Sequence, residues 1–572
     1  MIKIPYGESD FRTLMAGNYF YQDRTGFIEK LEKWNSKYPI FLRPRRFGKS
    51  LFVSMLHHYY GSEYGDEFPA LFGHLYIGKN PTVLANSYMV LRFEFSRINT
   101  VTHESTYRGF LENVQYGAHV FLAAYARFFN DADRQSILSE KSPEGIVKAI
   151  FRTVKSNGVP HKVYVLIDEY DQFANELLSF DIERFKSDVS RNGFVRKFYE
   201  TLKTATGEGV IDRIFITGVS SVTMDSLTSG FNIAGSITAN PIFHDMMGFT
   251  HPEVESILHQ SDIPTDKIPA MMSDLTEWYD GYLFTAGVEN SLFNPDMVLY
   301  FLSEYGIQQK YPMEMLDVNI VSDYRKIRNI FRIGNDEAGR LELLDELVRV
   351  GYVDFPLTRI FNLESPFTED DFLSLLFYVG MLTFKEAGSS DWRFEIPNYV
   401  IKKLYFEYFA ALFLEKTRFA KSHRPITRAI DAMMNDGNPE PFFRVVEYVL
   451  QESHSNRDEL RYDEEHLKTL MIGLLFPYKA FRIHSEYETG RHYPDIFLER
   501  IPDRNIRHEV VLELKYVKKG GEKALSTVAA DAKAQLDGYM ASERFRRSDV
   551  RGFYVVFMGG KVHTWGEGGQ NG

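Results

Sequence analysis

Cysteine is absent from this chain of 572 residues. Its absence excludes disulfide bonds, thiolate zinc sites and cysteine nucleophiles, and it is compatible with the cytosol, where we expect the protein to act. The sequence also lacks any run of about 18 or more apolar residues, and its N-terminus has no apolar signal-peptide core. We therefore expect a cytoplasmic protein with no membrane span and no membrane partner.

The chain also has no excess of basic residues, and its formal net charge is −12. A negative net charge argues against a protein whose whole surface is basic and binds nucleic acid. It does not exclude a local basic groove, because binding there depends only on the electrostatic field at that site. Apolar residues make up 44% and charged residues 25% of the chain, as in ordinary globular proteins. The 47 Phe and 34 Tyr predict large cores, and the length predicts roughly three domains.

Three regions of the chain differ in their pattern. In the first, short apolar strands alternate with helices, which is typical of a parallel sheet in an α/β domain. The pattern becomes mainly helical after residue 249, and a second compact α/β unit begins near residue 460. We expect domains at residues 1–245, 246–455 and 456–572. The expected strands of the first domain are 38–42, 88–95, 163–167 and 213–217, and a helix is expected at 50–60.

The last domain has a pattern of its own. We expect its helices at 464–475 and 524–539, and its strands at 482–488, 495–498, 509–516 and 552–558. The strand 552–558 is expected to be the final one, since the glycine-rich tail 566–572 predicts a frayed end.

A phosphate-binding loop is indicated by the segment RPRRFGKS, residues 43–50, between a predicted strand and a predicted helix. Gly48 lets the backbone approach a phosphate, and the free amides at the helix start point toward the anion. Lys49 can reach the β- and γ-phosphates of ATP, and the Ser50 hydroxyl can bind Mg²⁺. The loop departs from the usual pattern at Arg43, where a glycine is expected. The predicted nucleotide contacts are Arg45, Arg46, Phe47, Gly48, Lys49, Ser50 and Leu51; for the two arginines, a role across a subunit interface and a solvated loop stay open.

Two adjacent acids end the apolar strand near residue 167. Asp168 is expected to hold Mg²⁺ through its hydration shell, and Glu169 to orient or deprotonate the attacking water. The next strand ends in hydroxyls, so Thr217 or Ser220 is a candidate sensor of the γ-phosphate. The alternative for these hydroxyls is a strand-end turn bonded to its own backbone.

A second group of carboxylates is expected near the C-terminus. On a strand, Glu513 and Lys515 point to the same face, and a strand beginning at Asp495 alongside would bring its carboxylate close to Glu513. Two carboxylates so close repel each other unless a cation such as Mg²⁺ lies between them. Lys515 would then position or activate a water against a phosphodiester.

The surroundings of this group leave alternatives open. Gln535 and Tyr539 lie four residues apart on one face of a predicted helix. In one interpretation they orient the substrate or Lys515, and in the other they belong to a simple amphipathic helix without a role in the site. A third acid comes from Glu464, Glu465 or Glu486. Nearby basic residues form either a phosphate-tracking groove or a solvated face. They are Arg491, Lys518, Lys519, Lys523, Lys533, Arg544, Arg546 and Arg547.

These motifs together resemble a known family, the bacterial AAA-ATPase-like proteins that carry a C-terminal PD-(D/E)XK nuclease-superfamily domain. The resemblance spans nearly the whole chain. It implies a P-loop, AAA-like parallel-sheet domain, a helical lid region and a restriction-endonuclease-like α/β domain. It also implies that Asp23 and Thr25 lie near the nucleotide, and the Gln535…Tyr539 spacing is similar to the RecB-like branch. The residues that carry it are 21–25, 41–50, 168–169, 215–220, 248–250, 278–282, 293–295, 494–495, 513–515 and 535–539.

Three functions are compatible with these patterns. In the first, ATP hydrolysis drives or gates Mg²⁺-dependent cutting of nucleic acid, for which we expect DNA. In the second, the chain is a nucleotide-switched module that binds nucleic acid or protein through a catalytically inactive nuclease-like domain. In the third, it is a regulatory ATPase that acts only on protein partners. A homo-oligomer is compatible with all three.

Overall fold

The computed structural model divides into two compact units, Met1–Ile307 with Leu316–Tyr399, and Gln308–Met315 with Val400–Gly572. The three-domain division near residues 245 and 455 stays a prediction. Glu486, Arg491, Lys519 and Lys523, expected near the second carboxylate group, lie outside the described residues. The structure describes residues 2–180, 184–185, 188, 193–222, 231–317, 337–361, 366–388, 391–415, 417–452, 463–485, 494–518, 521 and 525–569.

A five-stranded parallel sheet forms the centre of the first unit, as its alternating pattern predicted. The strand order is β2-β3-β4-β1-β5. Every residue of β1 and β3 is buried, which fits a sheet covered by helices on both faces. Because the strands are parallel, the segments that follow β1, β3 and β4 meet at one edge. The strands are β1, Pro39–Leu42; β2, Met89–Glu94; β3, Val163–Asp168; β4, Ile211–Gly218; and β5, Gly235–Ser236.

Aromatic rings fill much of the space between this sheet and its helices. The rings of Phe95 and Phe110 stack with centroids 4.4 Å apart, and Phe198 meets both edge-on. The abundance of phenylalanine is therefore explained by the core. The α-helices are Phe11–Ala16, Gly26–Lys33, Lys49–Tyr60, Phe68–Phe72, Tyr76–Lys79, His103–Ala124, Asp131–Leu138, Pro143–Ser156, Gln172–Phe180 and Phe194–Gly207, with 3₁₀ turns at Ser62–Glu67, Ala126–Phe128 and Pro241–Met246.

The rest of the first unit is mainly helical, as expected, but it also contains a small antiparallel sheet that the sequence did not predict. Its order is β6-β8-β7, and the strands are β6, Tyr352–Phe355; β7, Thr383–Ala387; and β8, Trp392–Glu395. Arg393 pairs on its exposed face with Asp354 and Glu386. Such short, charged strands carry little periodic signal. The helices are His251–Gln260, Ile268–Tyr279, Pro295–Gln308, Glu337–Val350 and Glu369–Tyr378.

The second unit contains a mixed five-stranded sheet in the order β13-β12-β11-β10-β9. Strands β11 and β12 are parallel, and the other neighbours are antiparallel. The strands are β9, Phe481–Ser485; β10, Ile496–Arg500; β11, Glu509–Val517; β12, Val550–Met558; and β13, Lys561–Gly568. The helices are Tyr399–Glu415, Arg424–Asp436, Glu440–Glu452, Glu464–Leu475 and Leu525–Met540, with a 3₁₀ turn at Arg418–Lys421.

The expectation that the strand 552–558 ends the fold was wrong. Gly559 and Gly560, both with positive φ, turn the chain back into β13. Residues 566–568 of the expected frayed tail belong to this strand. Strand β13 is polar and glycine-rich, so it lacks the apolar alternation that predicts a strand. Its backbone pairing with β12, rather than burial, orders it.

An apolar cluster joins this sheet to the helix Leu525–Met540. Phe497 of β10 and Val511 of β11 pack there with Leu536, Tyr539 and Phe545. Tyr539 is thereby fixed at the face of the sheet. Within the part of the chain that the structure describes, no helix combines the length and apolar character needed to cross a bilayer.

Gly281 lies at a close contact in the first unit, with φ of +97° and a position where an added Cβ would overlap the carbonyl oxygen of Pro397. We expect Gly281→Ala to lower the free energy of unfolding by about 3 kcal/mol. The matched control is Gly287→Ala, where φ is +78° and no atom lies within 4 Å of the added Cβ. It should cost only about 1 kcal/mol. Denaturant titration measures both, and equal losses would contradict the steric explanation.

Candidate functional site

The loop between β1 and the helix Lys49–Tyr60 turns through two left-handed residues. Gly48 precedes the helix with φ of 91°, and Arg46 has φ of 70°. No atom lies within 4 Å of a Cβ added at Gly48, so the space beside it is open. The first amides of a helix have no intrahelical partner, and the residues that carry them, Lys49 to Leu51, line a cavity. The loop thus presents free N–H groups to a space that an anion can enter.

Lys49 is the buried cation of this loop. Its Nζ donates to the carbonyl oxygens of Arg43 and Pro44, at 3.0 and 2.9 Å. Burial lowers the pKa of Lys49, while the nearby carboxylates of Glu169 and Asp168 offset part of that effect. Two of its three N–H groups are used by loop carbonyls, and the side chain still lines the cavity.

Arg43 occupies the position where the usual loop has a glycine, and its side chain is buried below the loop. The guanidinium donates to the carbonyls of Thr238 and His244, at 2.9 and 3.1 Å. It lies between the rings of Phe41 and Phe284, 4.2 Å from each centroid. Burial lowers the pKa of Arg43 to about 9. This arginine ties β1 to the segment 238–244.

Asp168 ends β3 and is completely buried. Its Oδ1 accepts the N–H of Glu169 at 3.0 Å, whereas among the described residues Oδ2 has no hydrogen-bond partner. The closest cation to Oδ2 is Arg92, at 4.0 Å. Burial raises the pKa of Asp168, and the nearby Ser50 hydroxyl and Arg92 offset part of that rise. A bare, buried carboxylate oxygen beside a hydroxyl fits a hard cation such as Mg²⁺.

Glu169 follows in a left-handed conformation, with φ of 50°. For a non-glycine residue this costs roughly 1–2 kcal/mol, so the surrounding structure must hold it there. The side chain lines the cavity. Burial raises the pKa of Glu169, Lys49 lowers it and Asp168 raises it further. The structure therefore places Lys49, Ser50, Asp168 and Glu169 close together, although Asp168 does not itself line the cavity, and the roles assigned to them stay predictions.

The cavity above these residues measures about 450 Å³. Other segments of the first unit, among them residues 20–24 and 246–249, also line the cavity. Only the family resemblance had connected these segments with the loop. Arg24 joins two of these segments, since it pairs with Glu253 at 2.8 Å and donates to the carbonyl of Gly248 at 2.6 Å. The apolar part of the wall comes from Phe20, Tyr21, Met246, Met247, Phe249 and Leu299.

The two arginines of the loop have protein partners. Arg45 donates to Gln172 Oε1 at 2.7 Å, and Arg46 lies 3.6 Å from the carboxylate of Asp296. All four side chains line the cavity. Gln172 and Asp296 had no signal in the sequence, because they meet the loop only through the tertiary fold. Phe47 is buried against the rings of Tyr282 and Phe284.

Several expected residues do not line the cavity. Thr217 is buried, and its hydroxyl donates to the Phe41 carbonyl at 2.9 Å, which matches the alternative of a hydroxyl bonded to backbone. Asp23 accepts the Thr25 amide at 2.9 Å and the Tyr76 amide at 2.8 Å, so these residues organise the starts of two helices.

In the second unit, Glu513 lies on β11, and Asp495 immediately precedes the neighbouring strand β10. Ile496 pairs with Leu512, and the antiparallel register continued by one residue sets Asp495 opposite Glu513, on one face of the sheet. The carboxylate of Asp495 accepts the Leu514 amide at 2.8 Å. Glu513 is only 2% exposed. Burial, and then the negative charge of Asp495, raise the pKa of Glu513 to about 7.

Lys515 links this pair to a third acid. Its Nζ lies 2.8 Å from Glu513 Oε1 and 3.1 Å from Glu464 Oε1, while within the described residues Glu513 Oε2 has no hydrogen-bond partner. Burial opposes the charge of Lys515, but Glu513 and Glu464 together raise its pKa. Glu464 thus reaches the lysine, Glu465 is exposed, and Glu486 lies outside the described residues.

The two helical residues expected here differ in their placement. Tyr539 is buried beside the carboxylates, and burial, Glu513 and Asp495 all raise its pKa. Gln535 is exposed one turn earlier, and in the described part of the chain it makes no hydrogen bond to the carboxylate group. A helical period alone does not decide which of two residues turns inward.

Two of the basic residues expected to form a groove make ion pairs within the protein, Arg544 partly buried and Arg547 exposed. Arg544 lies 2.8 Å from Glu499 and 3.0 Å from Glu509, and Arg547 lies 3.2 Å from Glu509 and 2.8 Å from Asp549. The apolar cluster at Phe497 and Val511 separates them from Asp495 and Glu513. These two arginines thus pair with Glu499, Glu509 and Asp549 at the other end of the sheet, and the groove stays a prediction. Lys518, Lys533 and Arg546 are exposed.

The raised pKa of Glu513 predicts how stability depends on pH. The folded-state pKa, about 7, exceeds the usual 4.5, so the metal-free protein loses stability as the pH rises through this interval. Asp495→Asn removes the neighbouring charge while keeping an acceptor for the Leu514 amide. We expect a gain of about 1 kcal/mol at pH 8 and none at pH 5.

Urea unfolding in the presence of a chelator measures this difference. Asp531→Asn, which changes an exposed acid of the same unit, is the control and should show no such dependence. Equal effects of Asp495→Asn at both pH values would contradict the assigned repulsion.

Comparison with known proteins gives two family matches. Residues 5–228 match the family described as a predicted AAA-ATPase. Residues 462–565 match the PD-(D/E)XK nuclease superfamily. The first match contains the loop, Asp168 and Glu169, and the second contains the carboxylates and Lys515. The resemblance inferred from the motifs is therefore confirmed.

Individual relatives are more distant. The chain is 26% identical over 305 residues to a protein of Azotobacter chroococcum mcd 1 described as an uncharacterized protein in the vnfD 5′ region, and the alignment covers 52% of each. The chain thus spans about half the length of the curated relative it matches. The solved structure of the Walker-type ATPase PABY2304 of Pyrococcus abyssi aligns over 67% of this chain and 94% of its own, with 13% identity and a TM-score of 0.37.

Proposed function

We propose that this chain, which carries a predicted AAA-ATPase domain and a PD-(D/E)XK nuclease-superfamily domain, binds and hydrolyses ATP and cuts nucleic acid in a metal-dependent reaction. One observation carries the proposal. In each unit, a buried carboxylate at the site has one oxygen without a hydrogen-bond partner in the described chain, Asp168 Oδ2 and Glu513 Oε2. Such oxygens are costly to bury unless a cation binds them.

For ATP, the support comes from the cavity at the loop. Its volume suits a nucleotide, its loop end carries Lys49 and free helix amides, and the rest of the wall combines apolar side chains with polar ones such as Arg24, Gln172 and Asp296. Lys49 and the two loop arginines would bind the phosphates, and Ser50 with Asp168 would hold Mg²⁺. The ion would neutralise phosphate charge when bound. Glu169 would orient the attacking water and accept its proton, which its raised pKa favours. We assign Thr217 a structural role.

For the nuclease, Asp495 and Glu513 would hold Mg²⁺, which lowers the pKa of a bound water and offsets charge on the leaving oxygen. Lys515 would bind the scissile phosphate or hold the water, and Glu464 and Glu513 keep it charged and in place. Tyr539 would orient Glu513. Gln535 would contact the substrate from its exposed position on the helix.

The finer parts of the proposal concern substrate and setting. We propose DNA as the nucleic acid, with ATP hydrolysis gating its cleavage, and we place the protein in the bacterial cytoplasm, where a homo-oligomer would bring several nuclease units to one substrate. The loop arginines are the residues that a neighbouring subunit would reach in such an assembly.

Variants of the loop test the ATPase. Lys49→Ala should weaken ATP binding more than tenfold, because a phosphate contact is lost. Glu169→Gln should keep the affinity within about twofold and slow hydrolysis about 100-fold. Binding of a fluorescent ATP analogue and phosphate release measure the two steps. Lys155→Ala, which changes an exposed lysine of the same unit, is the control. Hydrolysis at the wild-type rate in both variants would contradict the assignment.

Variants of the carboxylate group test the nuclease. Asp495→Ala and Lys515→Ala should abolish cutting of single- or double-stranded DNA in the presence of Mg²⁺, with ATP hydrolysis intact, because the two sites use different residues. Lys533→Ala, at an exposed helical lysine, should cut normally. RNA substrates, and DNA without ATP, complete the assay.

Two other outcomes would contradict this proposal. Cutting that survives both substitutions would remove Asp495 and Lys515 from the reaction. Salt-sensitive DNA binding without any cutting would instead support the nucleotide-switched binding module.

A further inference from the structure

Asp171 is a buried acid three residues after Asp168, and no role was predicted for it from the sequence. It is completely buried and does not line the cavity. Val219 and Ser220 directly follow β4, and their amides donate to the Asp171 carboxylate at 3.0 and 2.6 Å. The carboxylate also lies 3.0 Å from the Ser220 hydroxyl and 2.6 Å from Asn175 Nδ2. Three N–H donors converge on this side chain, whereas the Ser220 hydroxyl, with its single proton, also faces Asn175 Oδ1 at 2.6 Å.

The end of β4 approaches the loop after β3 very closely. A Cβ added at Gly218 would overlap both the Asp171 carboxylate and the ring of Tyr170. Tyr170 makes two further links, since its amide donates to the Thr217 carbonyl at 3.2 Å and its hydroxyl to the Ser220 carbonyl at 2.7 Å. The two neighbouring strand ends are therefore tied together at Tyr170 and Asp171.

Glu169 lies between this tie and the strand β3. On its N-terminal side, Asp168 is fixed in the sheet and accepts the Glu169 amide. On its C-terminal side, Tyr170 and Asp171 are fixed to β4. The backbone of Glu169 must join these two anchors, and it does so with the left-handed φ of 50°. Without the C-terminal anchor, a non-glycine residue relaxes to the favoured right-handed region.

We infer that Asp171 is a positioning residue that holds Glu169 in its left-handed conformation by tying the end of β4 to the loop after β3. The inference rests on the proposed ATP hydrolysis, in which Glu169 acts on the water. Relaxation of the backbone at Glu169 moves its carboxylate relative to the nucleotide, and a displacement of about 1 Å can cost about 100-fold in rate. The contacts to the phosphates through Lys49 and the loop are unaffected.

Asp171→Asn tests this role with little change of volume. The substituted side chain keeps only one acceptor oxygen, so its amide group must face an N–H donor of Val219 or of Ser220. This breaks the Asp171 part of the tie and leaves the two Tyr170 hydrogen bonds. We expect kcat for ATP hydrolysis to fall about 10- to 100-fold, with the affinity for ATP within twofold of wild type. The matched control is Asp280→Asn, which alters another buried acid of the same unit, bonded to Ser291 at 2.9 Å and outside the cavity. It should leave kcat unchanged.

A double variant separates this role from a general structural one. If Asp171 acts through Glu169, then kcat in Glu169→Gln and in Glu169→Gln with Asp171→Asn should be equal, because the group being positioned is already lost. Where Asp171→Asn folds poorly, Ser220→Ala removes a single donor from the carboxylate and should give a smaller loss of kcat with the same dependence on Glu169.

Three results would overturn the inference. They are an unchanged kcat in Asp171→Asn, a loss of ATP affinity that matches the loss of kcat, and an equal loss of kcat in the Glu169→Gln background. A wild-type protein that binds ATP without hydrolysing it would instead overturn the proposed ATPase. In that case a crystal structure of Asp171→Asn decides the inference separately, since Glu169 remaining at positive φ would disprove it.

Discussion

A carboxylate that folding removes from water must gain hydrogen-bond donors, a counter-ion or a proton, because an isolated buried charge costs several kcal/mol. This constraint has different solutions at three buried acids. Asp171 is saturated by donors from β4 and from its own helix. Asp168 and Glu513 each keep one oxygen without a hydrogen-bond partner among the described residues. The saturated acid stabilises the fold, whereas a buried carboxylate oxygen without such a partner is electrostatically incomplete, as is Oδ1 of Asp280 outside the cavity.

The basic residues divide in the same way. Arg43 is buried among carbonyl oxygens and aromatic rings, and Arg544 between Glu499 and Glu509. Burial alone would raise the pKa of Glu499, but His484, Arg482 and Arg544 lower it to about 2. These cations have their partners within the protein. Lys49 lies near the carboxylates of Glu169 and Asp168, and Lys515 pairs with one oxygen of Glu513. Both lysines therefore lie near a buried carboxylate that keeps one oxygen without a hydrogen-bond partner in the described chain.

Both units use a sheet to bring acids together, with different geometry. In the parallel sheet, Asp168 ends β3 and the loop 43–50 follows β1. These strands end at one edge, so residues more than a hundred positions apart meet there. In the second unit, antiparallel pairing sets Asp495 opposite Glu513 within a short stretch of chain. Burial, and then the negative charge of Asp495, raise the pKa of Glu513. The backbone strain at Glu169 has no counterpart in this pair, because Glu513 lies within a regular strand and Asp495 directly precedes one.

The sequence by itself determined the elements with strong local patterns, namely the buried strands, the helix that begins at Lys49 and the alternation that puts Glu513 and Lys515 on one face. It also determined the groups around Lys49 and around Glu513, since strand periodicity and sheet edges follow from local rules. Only the tertiary structure decided that Glu464 reaches Lys515, that Thr217 and Gln535 turn away, and that Arg43 is buried. The same holds for the apolar cavity wall and for strand β13. These outcomes depend on packing between segments far apart in the chain, and no local pattern encodes which of several chemically equivalent residues such packing selects.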